Sequence, residues 1–396
     1  MFSLRQLRAH WFVRDALIPF LTTRIALFLV GLLALHMIDQ PKGLHAWQIT
    51  ADGHVADCSD ANPLSVERPL INMASRWDSG WLLSVASRGY QINPGHQSNT
   101  TCFPLYPLAM RATNWLIRGK TQADMFVAGI LVSNIALLVA LAYLIALARL
   151  EFSEAVATRA AWYLLVFPAS FYLSAVYAEA LFTAFVIGAV YHARREHWWR
   201  AGLLGGCAAA TRFNGFLLII PIAMEYAASC QWRWRNIRWS ALAMFIIPAG
   251  AGGFMLLLWY QLGDPFAYLQ GQGTHARHLA APWTAFLPFF SGNYQPVGAE
   301  NSILDLGAAL FLVAAVAWTW RVLRPSHAAF ATITAVLILS TGSLGSTMRY
   351  CLPIYPLFLT LALIGRNPLF DRCYMTVAAG LSALFMALFA TWHWVA

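Results

Sequence analysis

Apolar runs separated by short polar breaks fill almost the whole chain, and two longer stretches interrupt that pattern. Taken in order, the runs make eleven candidate spans, near residues 18–38, 125–148, 160–176, 178–193, 199–211, 213–229, 240–260, 303–322, 327–344, 350–365 and 374–394. A helix needs roughly 20 such residues to cross a hydrocarbon core about 30 Å thick. The pattern predicts an all-α fold, a polytopic transmembrane helical bundle that forms a single domain over residues 1–396. The two interruptions, Asp39 to Asp124 and Gln261 to Ser302, are long loops (39–124 and 261–302), and the first is expected to carry interfacial helices.

Basic residues orient this bundle. Arg5, Arg8 and Arg14 precede the first span, which is too long for a signal peptide and lacks its small-residue cleavage site. With the N-terminus in the cytoplasm, the clusters Arg149/Arg159, Arg194/Arg195/Arg200, Arg233/Arg235/Arg238, Arg321/Arg324 and Arg366/Arg372 all fall inside, as the positive-inside rule asks. Both long loops then face outward. Beyond the first loop, only Arg212, Arg277 and Arg349 are left on the outer side, where topology does not explain them.

Composition agrees with a membrane protein: 59% of residues are hydrophobic and 11% charged, against about 45–50% and about 25% in soluble domains. The net charge of +9 is spread in short clusters between apolar runs, which excludes nucleic acid as a partner. Six cysteines (Cys58, Cys102, Cys207, Cys230, Cys351 and Cys373) form no CxxC and have no histidine cluster beside them, so no metal is expected. Cys58 and Cys102 share the first outer loop, and a disulfide between them is left open.

Candidate chemistry gathers in a few stretches. In SRWDSGWLL, Trp77, Trp81 and Val85 follow i, i+4, i+8, which predicts one apolar stripe on a short helix lying at headgroup depth. Asp78 would sit at the edge of that stripe, as a reactive carboxylate or, equally, as an N-cap. CFPLYPLAM (Cys102–Met110) is echoed by CLPIYPLFL (Cys351–Leu359), and Tyr106 and Tyr355 are placed to hydrogen-bond a sugar or phosphate at outward span edges. Glu179 and the pair Arg212 and Asn214 stand at two outward turns, where ionisable groups are costly enough to imply function; the alternative is a Glu179–Arg212 ion pair locking two hairpins. Asp264-Pro265 is a turn, and His275, Arg277 and His278 make a cationic cluster after it that suits phosphate or anionic lipid heads.

Together, RWDSGWLL, RGY, CFPLYPL, FPASFYLSAVYAEALF, ATRFNG, GDPFAY and MRYCLPIYPLFL, in that order from about Ser75 to Ala362, resemble the GPI mannosyltransferase 2 (PIG-V) family and its bacterial relatives within the GT-C glycosyltransferases. The resemblance implies a GT-C bundle in a bacterial inner membrane, with its active site facing the periplasm. It implies transfer of a sugar, mannose, from a polyprenyl-phosphate donor to a lipid-linked or glycan acceptor, with membrane lipids as surroundings and no cofactor. Asp78 would be the general base of an inverting displacement. Arg76, Arg212, Arg349, Arg277, His275 and His278 would meet the donor phosphate, and Trp77, Trp81, Tyr106, Glu179, Asn214, Asp264 and Tyr355 would line the pocket. The chain is more compact than eukaryotic members, which leaves the acceptor open. A lipid-sugar transporter or flippase is the competing reading, and it would load its polar residues at the bilayer midplane; a lipid-binding scaffold would tolerate replacement of Asp78.

Overall fold

The computed structural model of the chain describes residues 11–38, 47–49, 55–57, 68–92, 97–274, 278–292 and 302–395. Each predicted run contains a helix, though several are helical over only part of their length: Ile18–Met37, Gln122–Arg149, Glu154–Val166, Glu179–Arg194, Trp198–Thr211, Ile219–Ser229, Ile246–Leu262, Ile303–Val322, Pro325–Leu339, Tyr355–Ile364 and Pro368–Ala390. Their lengths are unequal. Among the described residues, five helices are long and apolar enough to cross a membrane: Val13–Met37, Gln122–Arg149, Trp239–Leu262, Ile303–Val322 and Pro368–Ala390. The first loop adds a small antiparallel hairpin, Trp47–Ile49 with Val55–Asp57, and the helices Pro69–Ala74, Ser79–Arg88 and Leu105–Leu116.

Two long helices start on capping boxes, Thr121 with Asp124 and Ser302 with Asp305, which satisfy backbone N–H groups that have no partner inside the helix. The short helices end at local breaks instead. Glu154–Val166 stops because Pro168 forces the residue before it out of the helical region, and Phe167 is extended at φ −53°, ψ 140°. Residues 167–178 then run as turns, with one 3₁₀ stretch at Ser170–Leu173. Backbone freed at membrane depth has to be satisfied by neighbours. Arg24, buried in the first long helix, donates to the Leu165 carbonyl at 2.6 Å and the Ser170 carbonyl at 2.8 Å. Asn134 donates to the Ser174 carbonyl at 3.3 Å, Ser133 Oγ to the Tyr177 carbonyl at 3.2 Å, and the Val176 N–H bonds the Ala74 carbonyl at 2.9 Å.

The core runs along the Gln122–Arg149, Glu154–Val166, Glu179–Arg194 and Tyr355–Ile364 helices, with Leu141, Leu144, Tyr163, Leu164, Ile187 and Phe358 fully buried. At one end of the bundle, ion pairs hold helix ends level: Arg149 to Glu154 at 2.6 Å, Arg194 to Glu151 at 2.8 Å and Arg194 to Glu225 at 3.1 Å. From that common level, a helix of 16 residues (Glu179–Arg194) rises ~24 Å at 1.5 Å per residue. The neighbouring 28-residue Gln122–Arg149 helix rises ~42 Å on the same count. The short central helices therefore stop ~18 Å below the Gln122 tip at the opposite end, and this step in depth, against which the Ser79–Arg88 and Leu105–Leu116 helices pack, is the recess. The Ser133–Tyr177 bond reports the same depth, because Ser133 lies about three turns inside the Gln122 end of its helix.

Trp198–Thr211 packs against Ile246–Leu262 by close backbone approach. A Cβ on Gly250 would meet the Gly206 carbonyl oxygen at 2.0 Å, and one on Gly202 would meet the Ala243 carbonyl oxygen at 2.1 Å. Small residues at such crossings are how membrane helices associate. Gly250→Val must push the two helices apart, and we expect a loss of about 1–3 kcal/mol, as overpacked cores show, read as a lower melting temperature of the purified protein.

Candidate active site

Three breaks bring three charges into the recess. Glu179 opens its helix just after the 167–178 turns. Arg212 follows Thr211 as an extended residue, φ −152° and ψ 148°, before the 3₁₀ stretch Phe213–Leu218. Arg349 sits on the short helix Thr347–Tyr350, ahead of the Cys351–Ile354 turn that contains Pro353. The fourth charge, Asp78, comes from the first loop, immediately before the Ser79–Arg88 helix.

They form one chain of alternating sign. The Arg349 Nη1 donates to Asp78 Oδ2 at 2.8 Å, Arg349 Nε lies 3.4 Å from Glu179 Oε1, and Arg212 Nη1 donates to the same Glu179 oxygen at 2.5 Å. The middle members are buried, with side-chain exposures of 5% for Arg349 and 2% for Glu179, whereas Asp78 is 42% and Arg212 22% exposed. The chain thus has an inner anchor and two ends open to a ligand. Tyrosines surround the anchor: the Arg349 guanidinium lies 5.1–5.4 Å from the ring centres of Tyr350, Tyr172 and Tyr177. The Tyr177 hydroxyl accepts from the Asp78 N–H at 3.2 Å and donates to the Arg76 carbonyl at 3.0 Å, which fixes the backbone on either side of Trp77.

Asp78 occupies the N-cap position, but its side chain makes no capping bond; it turns to Arg349 instead. Trp77 is not on the helix. Its φ of +53° puts it in the left-handed region, so the predicted stripe of Trp77, Trp81 and Val85 does not form. Trp77 packs edge-on against Trp392 and Trp394 at 5.3 and 5.2 Å, while Trp81 is half-buried on the helix. One side of the helix is buried in the protein: Leu82, Leu83 and Ala86 pack with Tyr106, Met110 and Phe126, and Val85 packs with Phe103 and Phe254.

Other predicted residues are placed elsewhere. Arg76 is buried, lies 4.8 Å from the Trp392 ring centre and donates to the Ala390 carbonyl at 3.3 Å, at the end of the C-terminal helix. Tyr106 is buried against Gly129 and Ser133, at 3.0 and 2.7 Å. Tyr355 is not at an outward edge: six residues past Arg349 the chain has descended, and Tyr355 bonds His327 at 2.5 Å in the ionic network of Glu151 and Arg194 at the other end. Asp264 caps its own turn, accepting from Phe266 N–H at 2.8 Å and Gln270 Nε2 at 2.7 Å. Asn214 is half-buried in the 3₁₀ stretch after Arg212, and His278 is exposed beside Gly342. His275, Arg277 and Cys58 lie outside the described residues.

Cys102 borders the same cluster: burial, and then the charge of Asp78, push its thiol up to about 12, while Arg212 acts in the opposite direction. Several buried polar atoms here have no hydrogen-bond partner among the described residues, namely Ser75 Oγ, Trp77 Nε1, Tyr172 OH and Glu179 Oε2. Such atoms are few in folded proteins, and those beside Asp78 are available to water or to a polar ligand. Among the described residues no group of three or more His, Cys, Asp or Glu side chains is placed to hold a metal ion.

A helical membrane bundle with a long first loop and charges at broken helix ends is the architecture of the GT-C class, and the protein is an integral membrane protein of that fold. ArnT from Cupriavidus metallidurans bound to undecaprenyl phosphate matches it with a TM-score of 0.50 at 13% identity, covering 94% of this chain and 75% of that one, a likeness of fold alone. Residues 17–273 match the family model described as mannosyltransferase (PIG-V), and the chain belongs to that family. Among characterised relatives, GPI alpha-1,6-mannosyltransferase 2 of Rattus norvegicus is 30% identical over 157 residues, 38% of this chain and 31% of the relative. The same protein of Mus musculus is 31% identical over 155 residues, 37% of this chain and 30% of the relative. The matched region thus spans about a third of those relatives.

Removing the anchor tests the ion-pair chain. Arg349→Met leaves the buried Glu179 with Arg212 alone and removes the Arg349–Asp78 bond, and we expect a loss of about 1–3 kcal/mol, the cost of losing hydrogen bonds between charged groups. Thermal unfolding checks this, and Arg349→Lys should recover part of the loss by restoring the charge.

Proposed function

We propose that the protein is an inverting hexosyltransferase that moves mannose from a polyprenyl-phosphate donor to a lipid-linked or glycan acceptor, at the membrane face opposite its N-terminus. The observation that carries this reading is the half-exposed Asp78 carboxylate, bound to the buried Arg349, in a chain of the mannosyltransferase (PIG-V) family. The PIG-V relatives support the sugar, and the undecaprenyl phosphate bound by ArnT supports a lipid-phosphate carrier.

The residues divide the work as follows. The Arg349 guanidinium keeps Asp78 in its carboxylate form and aims it, using a charge-assisted hydrogen bond. An acceptor hydroxyl attacks the anomeric carbon, its proton passes to Asp78, and the bond between that carbon and the phosphate oxygen breaks with its electron pair going to the phosphate. One displacement inverts the anomeric centre and leaves the polyprenyl phosphate as product. Arg212, partly exposed and held by Glu179, meets the charge that develops on the leaving phosphate, where fixed cations in a low-dielectric recess are most effective. Glu179 orients both arginines. Basic clusters at the Arg149 end support a cytoplasmic position for that end, which on this reading turns the recess toward the periplasm of a bacterial inner membrane.

Three measurements test this. Asp78→Asn keeps the size of the side chain and an oxygen for Arg349 but cannot take the proton, so turnover should fall on the order of 10²–10⁴-fold with folding and donor binding intact. Transfer at the wild-type rate would exclude Asp78 as the base. Arg212→Lys retains charge without the two-oxygen grip, and donor affinity should drop in a binding assay with polyprenyl-phosphate mannose. Gln91, exposed after the Ser79–Arg88 helix, gives the topology: Gln91→Cys should label from outside intact cells, and labelling only after permeabilisation would reverse the orientation.

A further inference from the structure

Far from the recess, the loop between Ile219–Ser229 and the Trp239–Leu262 span reads QWRWRNIRWS. Trp232, Trp234 and Trp239 are 72%, 80% and 84% exposed, and Arg233, Arg235 and Arg238 are exposed between them. The exposure belongs to an ordered loop. Asn236 Nδ2 donates to the Cys230 carbonyl at 3.1 Å, the Asn236 N–H to the Arg233 carbonyl at 2.9 Å, the Trp232 N–H to the Ala227 carbonyl at 2.8 Å and the Arg238 N–H to the Tyr226 hydroxyl at 2.9 Å. Gln231 and Trp232 both sit in the left-handed region, at φ +54° and +56°, a backbone that residues with a Cβ adopt only where their surroundings hold them there.

The patch extends onto the adjacent helix. Trp198 meets Tyr226 edge-on at 4.8 Å, and on the same helix end Arg195, Trp199 and Arg200 are exposed. Among the described residues none of these five arginines forms an ion pair; Glu196, exposed on that edge, pairs with none of them. Elsewhere at this end Arg14 and Arg149 pair with Glu154, and Arg194 pairs with Glu151 and Glu225. A membrane span begins at Trp239, so the loop lies at headgroup depth.

We infer that this loop is a binding site for anionic phospholipid in the leaflet at the Arg149 end of the bundle. Guanidinium groups grip phosphate oxygens two at a time, and indole rings between them settle in the interface, so the alternation of Trp and Arg fits a negatively charged headgroup on an apolar boundary. The uncompensated positive charge selects anionic over zwitterionic lipid. This reading is independent of the chemistry at Asp78.

The full-length protein in nanodiscs of phosphatidylcholine, with and without phosphatidylglycerol, supplies the test, with bound lipid read by native mass spectrometry. Wild type should retain phosphatidylglycerol, and its preference over phosphatidylcholine should fall about five-fold for each of Arg233→Gln, Arg235→Gln and Arg238→Gln, in line with about 1 kcal/mol per basic residue near an anionic surface. The pair Arg366→Gln and Arg372→Gln, exposed on another part of the same end, should leave the preference unchanged. Raising salt to about 1 M, where charges are screened within about 3 Å, should weaken retention by the unaltered protein, which keeps the test decisive if a variant misfolds. Equal retention by wild type and the loop variants, equal loss in the control pair, or salt-insensitive retention would overturn the proposal, as would an absence of preference because the patch instead receives an acidic protein.

Discussion

A charge inside the thickness of a bilayer has to be matched, and that requirement organises the molecule. At the recess it is met by Asp78, Arg349, Glu179 and Arg212, two carboxylates and two guanidiniums in alternation. Each member sits where a helix begins or breaks. Arg24 meets the requirement differently, through carbonyls that the 167–178 turns expose. At the opposite end a second network serves the same need: Arg194 joins Glu151 to Glu225, Ser326 donates to Glu225, and His327 bridges Glu151 and Tyr355. Burial works against the Glu151 carboxylate, but hydrogen bonds from His327 and Arg194 prevail and hold its carboxyl below the usual range.

The two networks explain the unequal helices. One fixes the level from which the helices rise, and the other collects the ends of those that stop early. The breaks between them are local and chemical in origin. Pro168 ends one helix, Pro353 lies in the turn after Arg349, and Gly215 allows the 3₁₀ stretch after Arg212 to fold so near Ala208 that an added Cβ would lie 2.4 Å from the Ala208 carbonyl carbon.

Much of this was legible along the chain, and what was not has physical reasons. Apolar runs mark the helices outside the two long loops, because burial in lipid is a property of consecutive residues. It does not reveal that Glu154–Val166 stops short, since the turns after it are as apolar as a helix and owe their form to Arg24, Ser133 and Asn134 on other segments. Charges at outward turns pointed to Glu179, Arg212 and Arg349, and the Glu179–Arg212 pair was among the alternatives, but a bond between Arg349 and Asp78, 271 positions apart, has no local signal. The stripe assigned to Trp77, Trp81 and Val85 failed because helical spacing says nothing about where a helix starts, and the left-handed Trp77 precedes it. Trp392 and Trp394 went unrecognised for the same reason as the Arg349 bond: their contact with Trp77 exists only in the folded chain. Tyr355 misled because its motif repeats that of Tyr106, while the turn at Cys351–Ile354 carries it toward the far network.

The recess also changes what concentration means for this protein. Its charged floor lies within the thickness of the bundle, at the level of Ser133 rather than at the tip of the longest helix. Under the proposed function, a donor carried on a polyprenyl chain would not need to rise out of the bilayer to meet Asp78; it would arrive by lateral diffusion with its tail still in lipid. Encounter then takes place in two dimensions, and the quantity that governs occupancy is the mole fraction of donor among membrane lipids. Adding inert lipid at constant total donor dilutes the substrate as surely as adding water dilutes a soluble one, whereas changing the aqueous volume around the same membranes leaves occupancy by the donor where it was.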